Sequence, residues 1–375
     1  MMKVVLLTGA LLTFLAGVSG GQAFDPNTPD GSMVASIQKE TDPKQKQTLL
    51  EDFVQKFPSS HLAGWAWGQL QTDYLQAQQY EKAINAGEKS LAADPDAIEV
   101  AYNNLKAAEA MNDADAVMKW SAETSRAARK QLAGSQQGGI DQSRIDYAKQ
   151  VDTYTEYSLY AMSAKTTDPT KIISLTESLE QRNPHSAYLS KGYGRYLNAL
   201  RQSGQPDKAG TAAQHALEND PSNEDALAVA ADYSMHNKQY DQALGHSKKL
   251  VEVMQSKAKP EEVDQADWDK KKQALLPMAY WIQGVSHNAQ NQFADADKVL
   301  RNALPLVGND NRLQGMVLFQ LGVADFQLGK ASKNTAMMRQ ALKFSQQSAA
   351  LKSPVQTDAQ NNVKAISRAI AVPAR

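Results

Sequence analysis

The chain of 375 residues contains no cysteine. Disulfides, thiolate metal sites and thiol nucleophiles are therefore excluded, and stability has to come from packing alone. Net charge is scarce as well: 40 Lys and Arg against 41 Asp and Glu leave −1, which is no electrostatic footprint of a general nucleic-acid binder. Beyond the N-terminus no segment approaches the ~20 apolar residues that a membrane-spanning helix needs. Catalytic signatures are missing too. The six histidines, His61, His185, His215, His236, His246 and His287, form no His-Glu-x-x-His or other ligand spacing. There is no Gly-x-Ser-x-Gly elbow and no phosphate-binding Gly-x4-Gly-Lys-Ser/Thr loop. Gly192 and Gly194 read as close-packing residues inside a helix, and the acidic residues single out no glycosidase-like pair. No catalytic residue, cofactor or metal is expected.

What is present begins at the N-terminus. Lys3 precedes an almost unbroken apolar run from Val4 to Val18, and Gly21 and Ala23 stand at the −3 and −1 places of a cleavage site before Phe24. That is the anatomy of a secretory signal peptide over residues 1–23. A mature chain exported to the periplasm or secreted is expected, soluble and without an integral membrane segment. Its hydrophobic content of 42% is ample for a core.

A period of 34 residues organises the rest. One unit, at 64–97, carries Trp67-Gly68-Gln69-Leu70, Tyr74, Tyr80, Ala83, Leu91 and Pro95. The phase returns at 190–223 (Tyr193, Leu197, Gly204, Ala209, Ala213, Ala216, Pro221) and at 224–257 (Leu227, Ala230, Ala231, Tyr240, Ala243, Leu250). Ala209 and Ala243 are 34 residues apart, as are Ala83 and Val117. Further units fall at 277–310, with Gly284, Phe293, Ala296 and Leu300, and at 315–357, with Leu318, Gly322, Ala341 and Phe344. Stretches 98–131 and 153–186 keep the phase weakly. Residues 24–33 read as an extended segment, 134–139 as a glycine-rich loop, 256–272 as a solvated insertion around Lys270-Lys271-Lys272, and 357–371 as a terminal helix. Asp94-Pro95 and Asp220-Pro221 are expected to end second helices, with Asp96 and Ser222 capping the next first helices.

These residues resemble the tetratricopeptide-repeat family, of an exported bacterial kind, with two departures: Gln71 replaces the usual Gly, and Gly87 replaces the usual second-helix aromatic. The resemblance implies an all-α, right-handed superhelical solenoid of helix-turn-helix repeats over 34–375, in which each pair buries its apolar stripe only by stacking on its neighbours. An irregular helical bundle or an α/α toroid is the alternative.

In that family the first helices line a concave groove and supply the ligand contacts. Projected onto this chain, the phase presents Lys191, Arg195, Asn198 and Arg201 in one unit, Tyr154 and Tyr157 in the preceding one, and Trp281 and Phe319 in later ones. Lys191 and Arg195 match two places of the carboxylate clamp found in some members. Tyr102, Lys106 and Ser158 break the earlier places, so that clamp is not implied. The two readings of the basic stripe are contact with an anionic ligand and a solvated face paired with Asp225 and Asp232. The tyrosines read either as a platform or as inter-helix packing. The expected function is non-catalytic binding of a protein or peptide outside the cytoplasm. Two rivals are an accessory scaffold of envelope assembly or polysaccharide export, and a helical-toroid hydrolase acting on extracellular sugars.

Overall fold

A computed structural model describes residues 24–135, 141–261 and 263–371. The signal-peptide stretch, residues 1–23, lies outside the described residues, as does most of the glycine-rich loop. The described residues form seventeen α-helices, one short 3-10 turn and no strand. They divide into an N-terminal unit up to Lys165 and a C-terminal unit from Thr166.

The N-terminal unit holds α1 (Pro29–Lys39), α2 (Pro43–Lys56), α3 (Ala63–Gln76), α4 (Tyr80–Ala93), α5 (Ile98–Ala110), α6 (Ala114–Ser135) and α7 (Gln142–Lys165). The C-terminal unit holds α8 (Pro169–Arg182), α9 (Ala187–Gln202), α10 (Pro206–Asn219), α11 (Glu224–His236), α12 (Tyr240–Ser256), α13 (Gln265–Ala289), α14 (Phe293–Ala303), α15 (Asn311–Ala331), α16 (Thr335–Ala350) and α17 (Gln356–Ala371). Within each unit consecutive helices pack as hairpins, and first helices also touch the first helices of adjoining hairpins: α3 with α5, α9 with α11, α11 with α13, α13 with α15. This is an all-α helical-repeat architecture.

One local device closes six of the hairpins. A residue with positive φ follows the first helix at Gln78, Asn112, Gly204, Lys238, Asn291 and Lys333. The amide after it donates back five residues, as in Gln79 N to Tyr74 O and Gln239 N to Ser234 O, both 2.8 Å. That bond satisfies a first-helix carbonyl with no partner in its own helix, and turns the chain sharply enough for the second helix to start at once. Where the second helix ends at Asp94, Asn183 or Asp220, the backbone becomes extended before proline. The side chain then accepts from the amide two residues on.

The small-residue positions lie at the crossings. Ala83, Val117, Ala209, Ala243, Ala296 and Ala341 are all at most 1% exposed. A Cβ on Gly284 would stand 2.4 Å from Leu300, and one on Gly322 would stand 2.4 Å from the Ser345 hydroxyl. The departure at 71 and 87 is an exchange of sizes. Gln71, fully buried, reaches across so that its amide donates to the Val100 carbonyl and to Asn104 Oδ1, each at 2.8 Å. A Cβ on Gly87 would collide with both amide side chains. The first helix carries the bulk here and the second carries the gap.

Several sequence expectations are corrected. Residues 24–33 are not wholly extended, because α1 begins at Pro29 with Thr28 as its cap. The stretch 153–186 is no single repeat: α7 begins at Gln142, and the division between units falls after Lys165. The insertion 256–272 is folded. α12 runs to Ser256 and α13 already begins at Gln265, with Pro277 inside it rather than at its start. Trp268, 2% exposed, packs with Leu250, Val253 and Met254. Asn223, not Ser222, caps α11, and α5 has no side-chain cap; Asp96 instead pairs with Arg126 and Lys130.

Candidate partner-binding faces

α9 is fixed to the C-terminal unit by its buried side. Tyr193 and Tyr196 pack there with Leu189, Leu197 and Leu200. Their hydroxyls donate to Glu180 (3.0 Å) and Glu177 (3.2 Å) of α8. Burial, reinforced by these carboxylates, pushes both phenols well above their ordinary range, so they stay neutral donors. Anchoring one side sets the other outward. Lys191, Arg195, Asn198 and Arg201 are all exposed, and the first three follow one helical stripe. Arg195 also donates to the Thr166 carbonyl at 2.6 Å, which restrains its guanidinium near the start of α8.

α11 lies beside α9, close enough that a Cβ on Gly194 would stand 2.4 Å from Asp225. Asp225 and Asp232, the carboxylates expected to pair with the stripe, have other partners of their own. Asp225 pairs with Lys271 at 2.8 Å, and Asp232 lies 3.4 Å from His236 on its own helix. Glu224, nearly buried, takes both Lys257 (2.7 Å) and Lys271 (2.9 Å). Burial alone would raise Glu224, but the two ammonium donors overcome it and hold the carboxyl below its usual range. The Lys270–Lys272 run is thus partly a structural tie between α13 and α11.

The aromatic candidates are deeper. Trp281 is half-buried between two apolar clusters, one built on Ala231, Met235, Ala243 and Ile282, the other on Leu300, Leu321 and Phe344. Its indole N–H is inaccessible and without an acceptor among the described residues. Phe319 is half-buried on the neighbouring α15. Trp281 is therefore mainly a packing residue between repeats, while α9 carries the exposed hydrogen-bonding groups.

In the N-terminal unit, Tyr154 is enclosed by packing. Its hydroxyl donates to Glu109 (2.9 Å) and accepts from Lys106 (2.7 Å), which itself pairs with Glu109. The ring meets Tyr102 edge-on at 5.4 Å and Tyr157 at 5.7 Å. Of the two readings of these tyrosines, the geometry supports inter-helix packing for Tyr154.

A third cluster went unread in the sequence. Asp325 on α15 is 1% exposed and shares Arg301 of α14 with Asp297. Asp325 Oδ1 is buried with no donor among the described residues. Burial first, then the adjoining Asp297, push Asp325 up to about 7 against the opposing pull of Arg301. A proton on Asp325 would let it donate to Asp297. Among the described residues no three His, Asp or Glu gather as a metal-holding group.

No protein-family model matches the sequence, and no curated protein matches it. Among solved structures, the tetratricopeptide-repeat domain of P58(IPK) is similar over 91% of this chain and 98% of that one, at 10% identity and a TM-score of 0.27. At that score the likeness carries no argument, and the repeat fold stands on the hairpins themselves.

Proposed function

We propose that the chain is a non-catalytic scaffold, acting outside the cytoplasm, that binds a protein or peptide partner through the first-helix face of its C-terminal unit. The observation that carries this reading is α9: a helix anchored by two buried tyrosines that leaves Lys191, Arg195, Asn198 and Arg201 exposed beside α11. Pre-set donors on a rigid helix bind an anionic or carbonyl-rich segment with little ordering cost. Export is supported by Lys3, the apolar run from Val4 and the Gly21-x-Ala23 sequence. Among the described residues no helix is long and apolar enough to cross a membrane.

The test starts with a partner recovered by pull-down using chain beginning at Phe24, then titrated at low and high salt. Lys191→Ala with Arg195→Ala should weaken binding at low salt and flatten its salt dependence, because exposed charge contacts are screened. Unchanged affinity in a folded double variant would remove α9 from the interface. Separately, intact-mass measurement on protein from its native host should find a mature start near Phe24.

A further inference from the structure

The N-terminal unit holds a cleft of about 620 Å³ between α2 and α4, with α3 as its floor. Glu51, Gln55 and Pro58 form one wall, Lys82 and Lys89 the other, and Trp67, Leu70 and Tyr74 lie beneath. Lys89 places its ammonium 4.0 Å from the centre of the Trp67 ring, and Lys82 lies 5.5 Å from that of Tyr74. Neither lysine has a carboxylate within ion-pair distance among the described residues. Their neighbour Glu88, by contrast, pairs with Lys119. Glu51, across the cleft, accepts at Oε1 from the Tyr74 hydroxyl (2.9 Å) and the Gln47 amide (2.8 Å), both neutral donors that add no positive charge. The rings hold the two cations in place without neutralising them. The cleft therefore sets two lysines without ion-pair partners against one carboxylate, an excess of positive charge over an aromatic and aliphatic floor.

We propose that this cleft is a second binding site, for an extended acidic peptide segment with an apolar side chain between its acidic residues. Lys82 and Lys89 are two helical turns apart, a rise of about 10 Å. In a polyproline-II segment, residues three apart share a face and are separated by about 9 Å. An acid-x-x-acid segment in that form sets one carboxylate at each ammonium. An apolar residue between them reaches the cleft near Trp67 and Pro58. The site is independent of the α9 face, so either assignment can fail alone.

The probe is a fluorescein-labelled synthetic peptide, Glu-Pro-Leu-Glu-Pro-Leu-Glu, titrated by anisotropy at 20 mM salt against chain beginning at Phe24. Both lysines are exposed, so Lys82→Ala with Lys89→Ala should stay folded, checked by circular dichroism. The expected result is saturable binding that weakens about fivefold in this double variant. The same peptide with Lys in place of Glu should not bind. The assignment is overturned if the intact chain does not bind the acidic peptide, if the double variant binds it equally well, or if the basic peptide binds as tightly. It is also overturned if inorganic polyphosphate competes as strongly as unlabelled peptide, which would make the cleft a general anion patch.

Discussion

α7 and α9 hold nominally similar places in their repeats, yet the side chains projected as partner contacts are used differently on each. On α7, Tyr154 spends its hydroxyl on Glu109 and Lys106 and its ring on Tyr102 and Tyr157. On α9 the tyrosines face inward and the charged side chains outward. Position in a repeat thus selects the helix but not the use of each side chain. That use depends on which neighbour supplies the complementary group, and for Tyr154 the supplier is α5.

The largest expected effect separates the two helices by stability. Tyr154→Ala removes a half-buried ring and leaves Glu109 and Lys106 without its hydroxyl, and should destabilise the N-terminal unit by about 3 kcal/mol. Asn198→Ala on α9 should stay within about 0.5 kcal/mol. Denaturant midpoints that fail to separate them would dissolve the comparison. Next comes a crossing in the C-terminal unit. Gly284→Ala drives a methyl into Leu300 and should lose roughly 2 kcal/mol, partly restored by Leu300→Ala in the same chain.

Two buried carboxylates of that unit sharpen the comparison through pH. The Asp325 pKa is raised, so its protonated form is favoured on folding. The stability it contributes at acid pH declines as pH rises from the ordinary carboxylate range to about 7. Glu224 is lowered, so its contribution is present at neutral pH and is lost as pH falls through and below the ordinary carboxylate range. Asp325→Asn should flatten the decline between pH 4 and 7, by on the order of 2 kcal/mol. Glu224→Gln should leave that decline in place and reduce stability at pH 7. Thermal melts of the three proteins across this range check both signs. Equal slopes in the intact chain and Asp325→Asn would show that Asp325 is not protonated in the fold.

The smallest effect concerns the turns. Gln78 and Lys238 adopt positive φ without being glycine, a conformation that costs an ordinary residue roughly 1 kcal/mol. Lys238→Gly should therefore raise stability by a few tenths to about 1 kcal/mol, read as a shift in denaturant midpoint.

The fold was legible wherever the signal was a small residue at a crossing: Ala209 and Ala243 are buried as their 34-residue spacing implies. The turns were less legible, because only Gly204 of the six closing residues is glycine. α13 was misplaced because Pro277 is favoured in a first turn and three lysines look solvated. Trp268 and Lys271 in fact tie that stretch to its neighbours. The candidate faces were legible only in part. Helical spacing set Lys191, Arg195 and Asn198 on one stripe, but it could not show that Trp281 is enclosed between two clusters. Nor could it show that Lys82 and Lys89 flank a cleft, since each depends on contacts made across helices.

Binding by the α9 face is tested most directly by site-specific photo-crosslinking in the native host. A photoreactive residue is placed at Asn198, exposed on α9, or at Thr211, exposed on the second helix of the same hairpin. The account expects a discrete covalent adduct from position 198 and none from 211. Adducts from 211 alone, or none from 198 in a chain that is folded and exported, would contradict it.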